Sequence, residues 1–205
     1  MFPICLNVAN LTVFLVGDDR ATARRLKLLK EAGAGNEETN GKLFIYSEKP
    51  SKELIAEAGD NLILSLPSEE EIKSANVVMV VDIIEEKAAK IAAIARKYNI
   101  LVNVEDNRKY CDFFFASLIR RGDLLLAVST NGQSPTLAVK IKDLLANIFT
   151  DIWIERLKII GKTRNNWKDD GLGYNEIKEH TNNFLRDNQW LVEDLCPRER
   201  MKINE

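Results

Sequence analysis

The chain has 205 residues, 45% of them apolar and 29% charged, with a formal net charge of −2. This is enough for one good core, or a core plus an appendage, in a soluble globular protein. The charge balance excludes a general drive toward nucleic acid or membrane surfaces, and no apolar run is long enough to span a bilayer.

Three scattered cysteines, Cys5, Cys111 and Cys196, fit unpaired thiols in a reducing compartment. No CxxC or Cys/His cluster points to a zinc site, so no metal ligands are expected. The single histidine, His180, leaves the chemistry to carboxylates, hydroxyls or a cofactor. No basic stretch precedes an apolar one at the N-terminus, so a cytoplasmic protein without a signal peptide is expected.

In chain order, Thr12 to Val16 reads as a strand and Ala21 to Ala32 as a helix closed by Gly33. Gly35 to Gly41 is a polar loop. Leu43 to Tyr46 and Leu62 to Ser65 read as two more strands. Val77 to Val81 is a continuous apolar run, as expected of a strand covered on both faces. Ile84 to Lys97 is a strong helix, and Leu101 to Val104 a fifth strand. Alternation of strand and helix predicts an α/β fold with a Rossmann-like parallel sheet.

The pattern then changes. CDFFFASLI and DLLLAVS flank a turn, Arg120-Arg121-Gly122-Asp123, and predict a β-hairpin. A helix follows from Pro135 to about Ile160, with Ser134 as N-cap and Pro135 at the first helical position. Gly161 to Asn175 reads as a polar loop, and Glu176 to Leu195 as a last helix. The predicted division is a Rossmann-like domain over 1–112, a hairpin and helix over 113–146, and a helical C-terminal domain over 147–205.

The stretch LVGDDRATARRL lies where a dinucleotide-binding protein keeps its phosphate turn. Such a turn needs a glycine to bend, a second to let backbone approach the pyrophosphate, and a small residue for close packing. Gly17 fills the first position, Asp19 the second and Thr22 the third. Two readings stand: an altered cofactor turn, or an ordinary strand-to-helix turn capped by Asp18 or Asp19. A carboxylate about 5 Å from a phosphate charge is repelled by roughly 3 kcal/mol at an effective dielectric near 20. Arg20, Arg24 and Arg25 could offset part of that. On the first reading, Gly17, Asp18, Asp19, Arg20 and Ala21 line the cofactor turn. Val81 and Asp82 border it from the fourth strand, and Glu48 is the acid nearest the ribose. A solvated start to the next helix explains Asp82 as well, and an exposed turn charge explains Glu48.

Ile100 to Leu145, ILVNVEDNRKYCDFFFASLIRRGDLLLAVSTNGQSPTLAVKIKDLL, resembles the precorrin-2 dehydrogenase/sirohydrochlorin ferrochelatase family, the N-terminal module of siroheme synthase. The shared features are a VNVVD-like strand end, a CDF-like entry to a hairpin, an arginine-containing turn and an STGGxSPxLA-like loop opening a helix. The start, PICLNVANLTVFLVG, resembles the family's PLFLDL-like opening. The resemblance implies an NAD-binding Rossmann domain, a dimerisation hairpin and a helical C-terminal region, with a homodimer building its clefts between subunits. It implies NAD-dependent oxidation of precorrin-2 to sirohydrochlorin, with ferrous iron as a further substrate in some members.

The family's catalytic aspartate maps onto Asp106, where a turn cap is the plainer alternative. Asn103 and the loop Ser129, Thr130, Asn131, Gly132 and Ser134 map onto its substrate-binding part. A loop rich in hydroxyls and amides at a helix start suits a substrate bearing carboxylates. Departures are equally specific. Two glycines of the family's GGGxVAxRK-like turn are Asp18 and Asp19. A threonine after the fourth strand is Asp82, a nearby asparagine is Ala88, an apolar residue is Glu105, and a glycine is Asn131. The alternatives to the dehydrogenase are a tetrapyrrole-binding or chelatase protein without oxidation, and a non-catalytic dimer keeping the fold.

Overall fold

The computed structural model describes residues 2–190, so Cys196 and the end of the last expected helix lie outside it. The chain falls into two compact units, the first ending at Phe115 and the second beginning at Ala116.

In the first unit, apolar runs become β1 (Thr12–Gly17), β2 (Lys42–Tyr46), β3 (Leu62–Ile63), β4 (Val77–Val81) and β5 (Leu101–Val104). Helices α1 (Arg20–Glu31), α2 (Lys52–Ala58), α3 (Glu69–Ile72) and α4 (Glu85–Lys97) connect them. All pairings are parallel, in the order β3-β2-β1-β4-β5. This is a Rossmann-like half, with its topological switch between β1 and β4. Ligands of such sheets bind outside the strands' carboxyl ends at that switch.

Alternation along β1 and β4 divides the core into two layers. Val13, Leu15, Val77, Met79 and Val81 pack on one side, with Leu26 and Leu29 of α1 and Leu54 of α2. Phe14, Val16, Val78 and Val80 pack on the other, with Ile72 of α3 and Ile91 and Ala95 of α4. Both faces are covered, which is why β4 is an unbroken apolar run. The sequence reading omits α2 and α3, and it gives β3 two residues too many. Both helices are too short to show periodicity. Their caps are nevertheless legible: the Ser51 hydroxyl accepts from Leu54 N at 3.2 Å, and Ser68 and Glu71 form a capping box.

In the second unit, β6 (Ser117–Arg121) and β7 (Leu124–Val128) form an antiparallel hairpin. The hairpin starts at Ser117 rather than Cys111. Arg120 and Arg121 end β6 instead of forming the turn. The turn is Gly122-Asp123, with Gly122 at φ 58°, the sign a two-residue hairpin needs at its first central position.

Helices α5 (Pro135–Ile148), α6 (Ile152–Asp169) and α7 (Tyr174–Asp187) follow. The expected single helix to Ile160 breaks at Phe149, where Arg121 Nε donates to the Phe149 carbonyl at 3.0 Å and pairs with Asp151. The expected polar loop 161–175 is wrong over most of its length. Residues 161–169 continue α6, because Trp167 packs on His180 and Phe184 of α7, with centroids 5.3 and 6.4 Å apart. His180 is thus a packing residue. Among the described residues of this unit only Ile119, Ala138 and Ile177 are buried apolar side chains. Among the described residues no helix is long and apolar enough to cross a membrane.

Candidate functional site at the carboxyl ends of the sheet

Gly17 ends β1 where only glycine fits. A Cβ there would stand 2.1 Å from Thr22 Oγ1 and 2.4 Å from the Val81 carbonyl oxygen. The strand, the helix and β4 meet at this point, so Gly17 and Thr22 satisfy the packing role of a dinucleotide turn.

The two aspartates that follow do different work. Asp19 is the N-cap of α1, its Oδ1 accepting from Arg20 N at 3.0 Å. Asp18 is not a cap. Its Oδ1 accepts from Ser47 Oγ at 2.5 Å and from the backbone N–H groups of Glu48 and Lys49, each at 3.1 Å. Three donors tie the β1 turn to the exit of β2, with Ser47 fully buried between them. Asp18 therefore puts a carboxylate where an acid at the end of β2 usually meets a ribose. Glu48 itself is exposed and pairs with Lys87 of α4.

Asp82 sits just past buried Val81, in the left-handed region at φ 54°. Its Oδ2 accepts from Thr22 N at 3.3 Å and lies 3.4 Å from Thr22 Oγ1, whose single proton is shared with the Val81 carbonyl at 3.5 Å. The first turn of α1 has three amide groups with no intrahelical acceptor. Those of Arg20 and Thr22 meet carboxylates of the protein itself, while Ala21 N–H has no acceptor among the described residues.

The basic residues are distributed accordingly. Arg20 pairs with Glu53 at 2.6 Å. The backbone first, and then Arg20, hold the Glu53 carboxyl below its usual range. Arg25 pairs with Glu105 at 3.1 Å and lies 3.6 Å above the Phe115 ring. Glu105, an acid where the family has an apolar residue, thus has its own cation, though Arg25 Nε is left buried and unpartnered.

The Asp106 loop is built by the segment after it, which returns along β5. Asp112 N donates to the Val102 carbonyl at 2.8 Å, and Asp112 Oδ2 accepts from Val102 N at 3.1 Å. Asn103 Nδ2 donates to the Phe113 carbonyl at 2.8 Å. Cys111 Sγ lies 3.1 Å from the Val104 carbonyl and 3.3 Å from that of Asn107. The CDF signature is therefore a clamp, and the buried Asn103 amide, expected to face substrate, is committed to it. Asp106 stands at the head of the loop at φ 60°, exposed, with no hydrogen bond or ion pair among the described residues. It caps nothing.

In the second unit, Asn131 and Gly132 take positive φ, 56° and 77°, the turn the STNGQS sequence requires. Ser129 Oγ accepts from Asn131 N at 3.1 Å, Thr130 Oγ1 bridges Ser134 N and O, and Ser134 caps α5 through Leu137 N. The sequence reading missed Ser47, Asp112, Cys111 and Phe115. Only the last three carried a signal, the CDF-like motif and its aromatic run.

The glycine turn, Ala21 N–H and the acid at the exit of β2 suit a dinucleotide. The carboxylates on Arg20 N and Thr22 N oppose its phosphates. Among the described residues no group of three or more His, Cys, Asp or Glu could hold a metal ion.

Residues 4–117 match the family described as putative NAD(P)-binding, and residues 121–148 match the sirohaem biosynthesis protein central family. A siroheme synthase of Neisseria meningitidis serogroup C (strain 053442) is 30% identical over 166 residues, 80% of this chain and 33% of that protein. One from Methylococcus capsulatus is 31% identical over 144 residues, 68% of this chain and 29% of that protein. The chain thus spans about a third of the length of these relatives. The solved structure of SirC, precorrin-2 dehydrogenase, superposes with a TM-score of 0.70 at 20% identity, covering 94% of both chains. With the parallel sheet, the Gly17 turn and both family matches in place, the chain belongs to the NAD(P)-binding family that forms the N-terminal module of siroheme synthase.

Proposed function

We propose that this protein is a cytoplasmic, NAD-dependent enzyme that oxidises precorrin-2 to sirohydrochlorin. The observation that carries the reading is Asp106: an exposed carboxylate with no partner among the described residues, held beyond the carboxyl end of β5 by the Cys111–Phe113 clamp. The oxidation removes a hydride and a proton from the macrocycle. NAD, when bound, supplies the hydride acceptor. Asp106 takes the proton, and its freedom from other partners leaves both oxygens available for that task. The Gly17 turn and Ala21 N–H would hold the pyrophosphate, and Asp18, with Glu48 beside it, would accept from the ribose hydroxyls. The Ser129 and Ser134 hydroxyls and the Asn131 amide would donate to the substrate's carboxylates, while Thr130, whose proton goes to the Ser134 carbonyl, holds the loop in shape.

The partner in this reading is a second copy of the chain. Its support is the apolar surface of the second unit, where Leu118, Leu137, Leu144, Ile148, Ile152 and Ile159 are each 43–66% exposed. Six large apolar side chains exposed on a unit whose described residues bury few apolar groups fit an interface with another chain. Sedimentation at micromolar concentration should give a dimer, and a monomer would remove this part.

The enzymatic test is anaerobic incubation with precorrin-2 and NAD, following NADH. The wild type should turn over, and Asp106→Ala should lose turnover while binding NAD as before. No turnover by the wild type, where another family member works, sinks the reading. A second reading, tetrapyrrole binding or ferrous-iron insertion without oxidation, draws on the carboxylates at the start of α1. It predicts sirohydrochlorin binding with no heat from NAD.

A further inference from the structure

We infer that Asp82 is a built-in counter-anion that occupies part of the cofactor's phosphate seat, so that NAD must displace it to bind. The inference rests on the NAD-dependent reading above and names the residue that limits the cofactor's affinity.

A helix start attracts anions because its first amide groups lack acceptors and carry the positive end of the helix dipole. At α1 two of those groups already have carboxylates. Asp19 belongs to the helix as its cap, bonding Arg20 N at 3.0 Å. Asp82 does not. It comes from a different strand, 60 residues along the chain, and reaches Thr22 N at 3.3 Å. Its backbone adopts φ 54°, a left-handed conformation that aspartate tolerates better than most non-glycine residues.

The contact itself is weak. Its 3.3 Å length is beyond the usual range for N–H···O bonds. Asp82 is also exposed, so water takes up the displaced carboxylate easily. The obstacle to a dinucleotide is therefore charge rather than the broken bond. A unit charge near 5 Å from a phosphate, discounted for exposure, changes affinity by about ten- to a hundredfold. Asp18 does not act this way, since three donors turn its carboxylate toward β2.

The test is calorimetric titration of the full-length wild type, Asp82→Asn and Asp82→Gly with NAD, alongside their melting temperatures without NAD. Asparagine and glycine both tolerate positive φ, so each removes the charge and keeps the turn. Both variants should bind NAD about ten- to a hundredfold more tightly. Asp82→Asn should melt at or below the wild-type temperature without NAD. That pairing of tighter binding with no gain in stability is the signature of a displaced internal anion. Equal or weaker NAD binding in both variants, beside measurable wild-type binding, overturns the inference and leaves the dehydrogenase reading standing. No binding by any of the three up to millimolar NAD overturns both.

Discussion

Replacing Asp112 by alanine should loosen the loop that carries Asp106, by an amount the geometry sets. Asp112 Oδ2 is the acceptor for Val102 N at 3.1 Å, and Val102 is fully buried in β5. Removing the carboxylate strands that amide without an acceptor, at about 1.5–3 kcal/mol for a hydrogen bond to a charged group. The Oδ1 side pairs with Arg96, with contacts of 3.1 and 3.0 Å. Those side chains are 30% and 43% exposed, so the pair adds only about 0.2–1 kcal/mol. The total is about 2–4 kcal/mol, dominated by the stranded amide. Urea titration should show a lower midpoint with unchanged slope, and hydrogen exchange at Val102 should speed up. Two controls separate the parts. Arg96→Ala, which also removes two 3.3 Å contacts to the Lys109 carbonyl, should cost about 0.5–1.5 kcal/mol. Asp112→Asn, which keeps an acceptor, should cost less than half of what alanine does. A loss below about 0.5 kcal/mol for Asp112→Ala would refute the clamp.

Gly17→Ala should destabilise by at least about 1–3 kcal/mol, because the added methyl meets the Val81 backbone oxygen at 2.4 Å. An unchanged melting temperature would contradict that close approach. Tyr46 is pushed up to about 12 by burial first, and then by the Glu71 carboxylate beside its hydroxyl. An unfolded tyrosine ionises near pH 10, so the unfolded chain releases this proton first and stability falls between about pH 10 and 12. Tyr46→Phe should lose less stability across that window, as read from urea midpoints against pH. Ser134→Ala removes the cap on Leu137 N and should cost about 0.5–2 kcal/mol, seen as an earlier melt of the second unit.

The sequence alone determined the parallel sheet. Five short apolar runs, with helical periodicity between the first two and between the last two, point to a parallel α/β sheet, and the unbroken Val77–Val81 run reads as a strand covered on both sides. It also determined the cap at Ser134 and the family signature around Asp106, because each is a local choice of residue type. Tertiary structure decided what the acids do. Asp18 and Asp19 are neighbours in the chain, yet one bonds the exit of β2 and the other caps α1. Asp82 reaches Thr22, and Arg25 reaches Glu105, across 60 and 80 positions. The break at Phe149 and the helix over 161–169 were likewise fixed by Arg121 and by the Trp167 packing, contacts from other elements. The physical reason is range: propensity and capping act within a turn or two, whereas a carboxylate takes whichever donor the fold brings near.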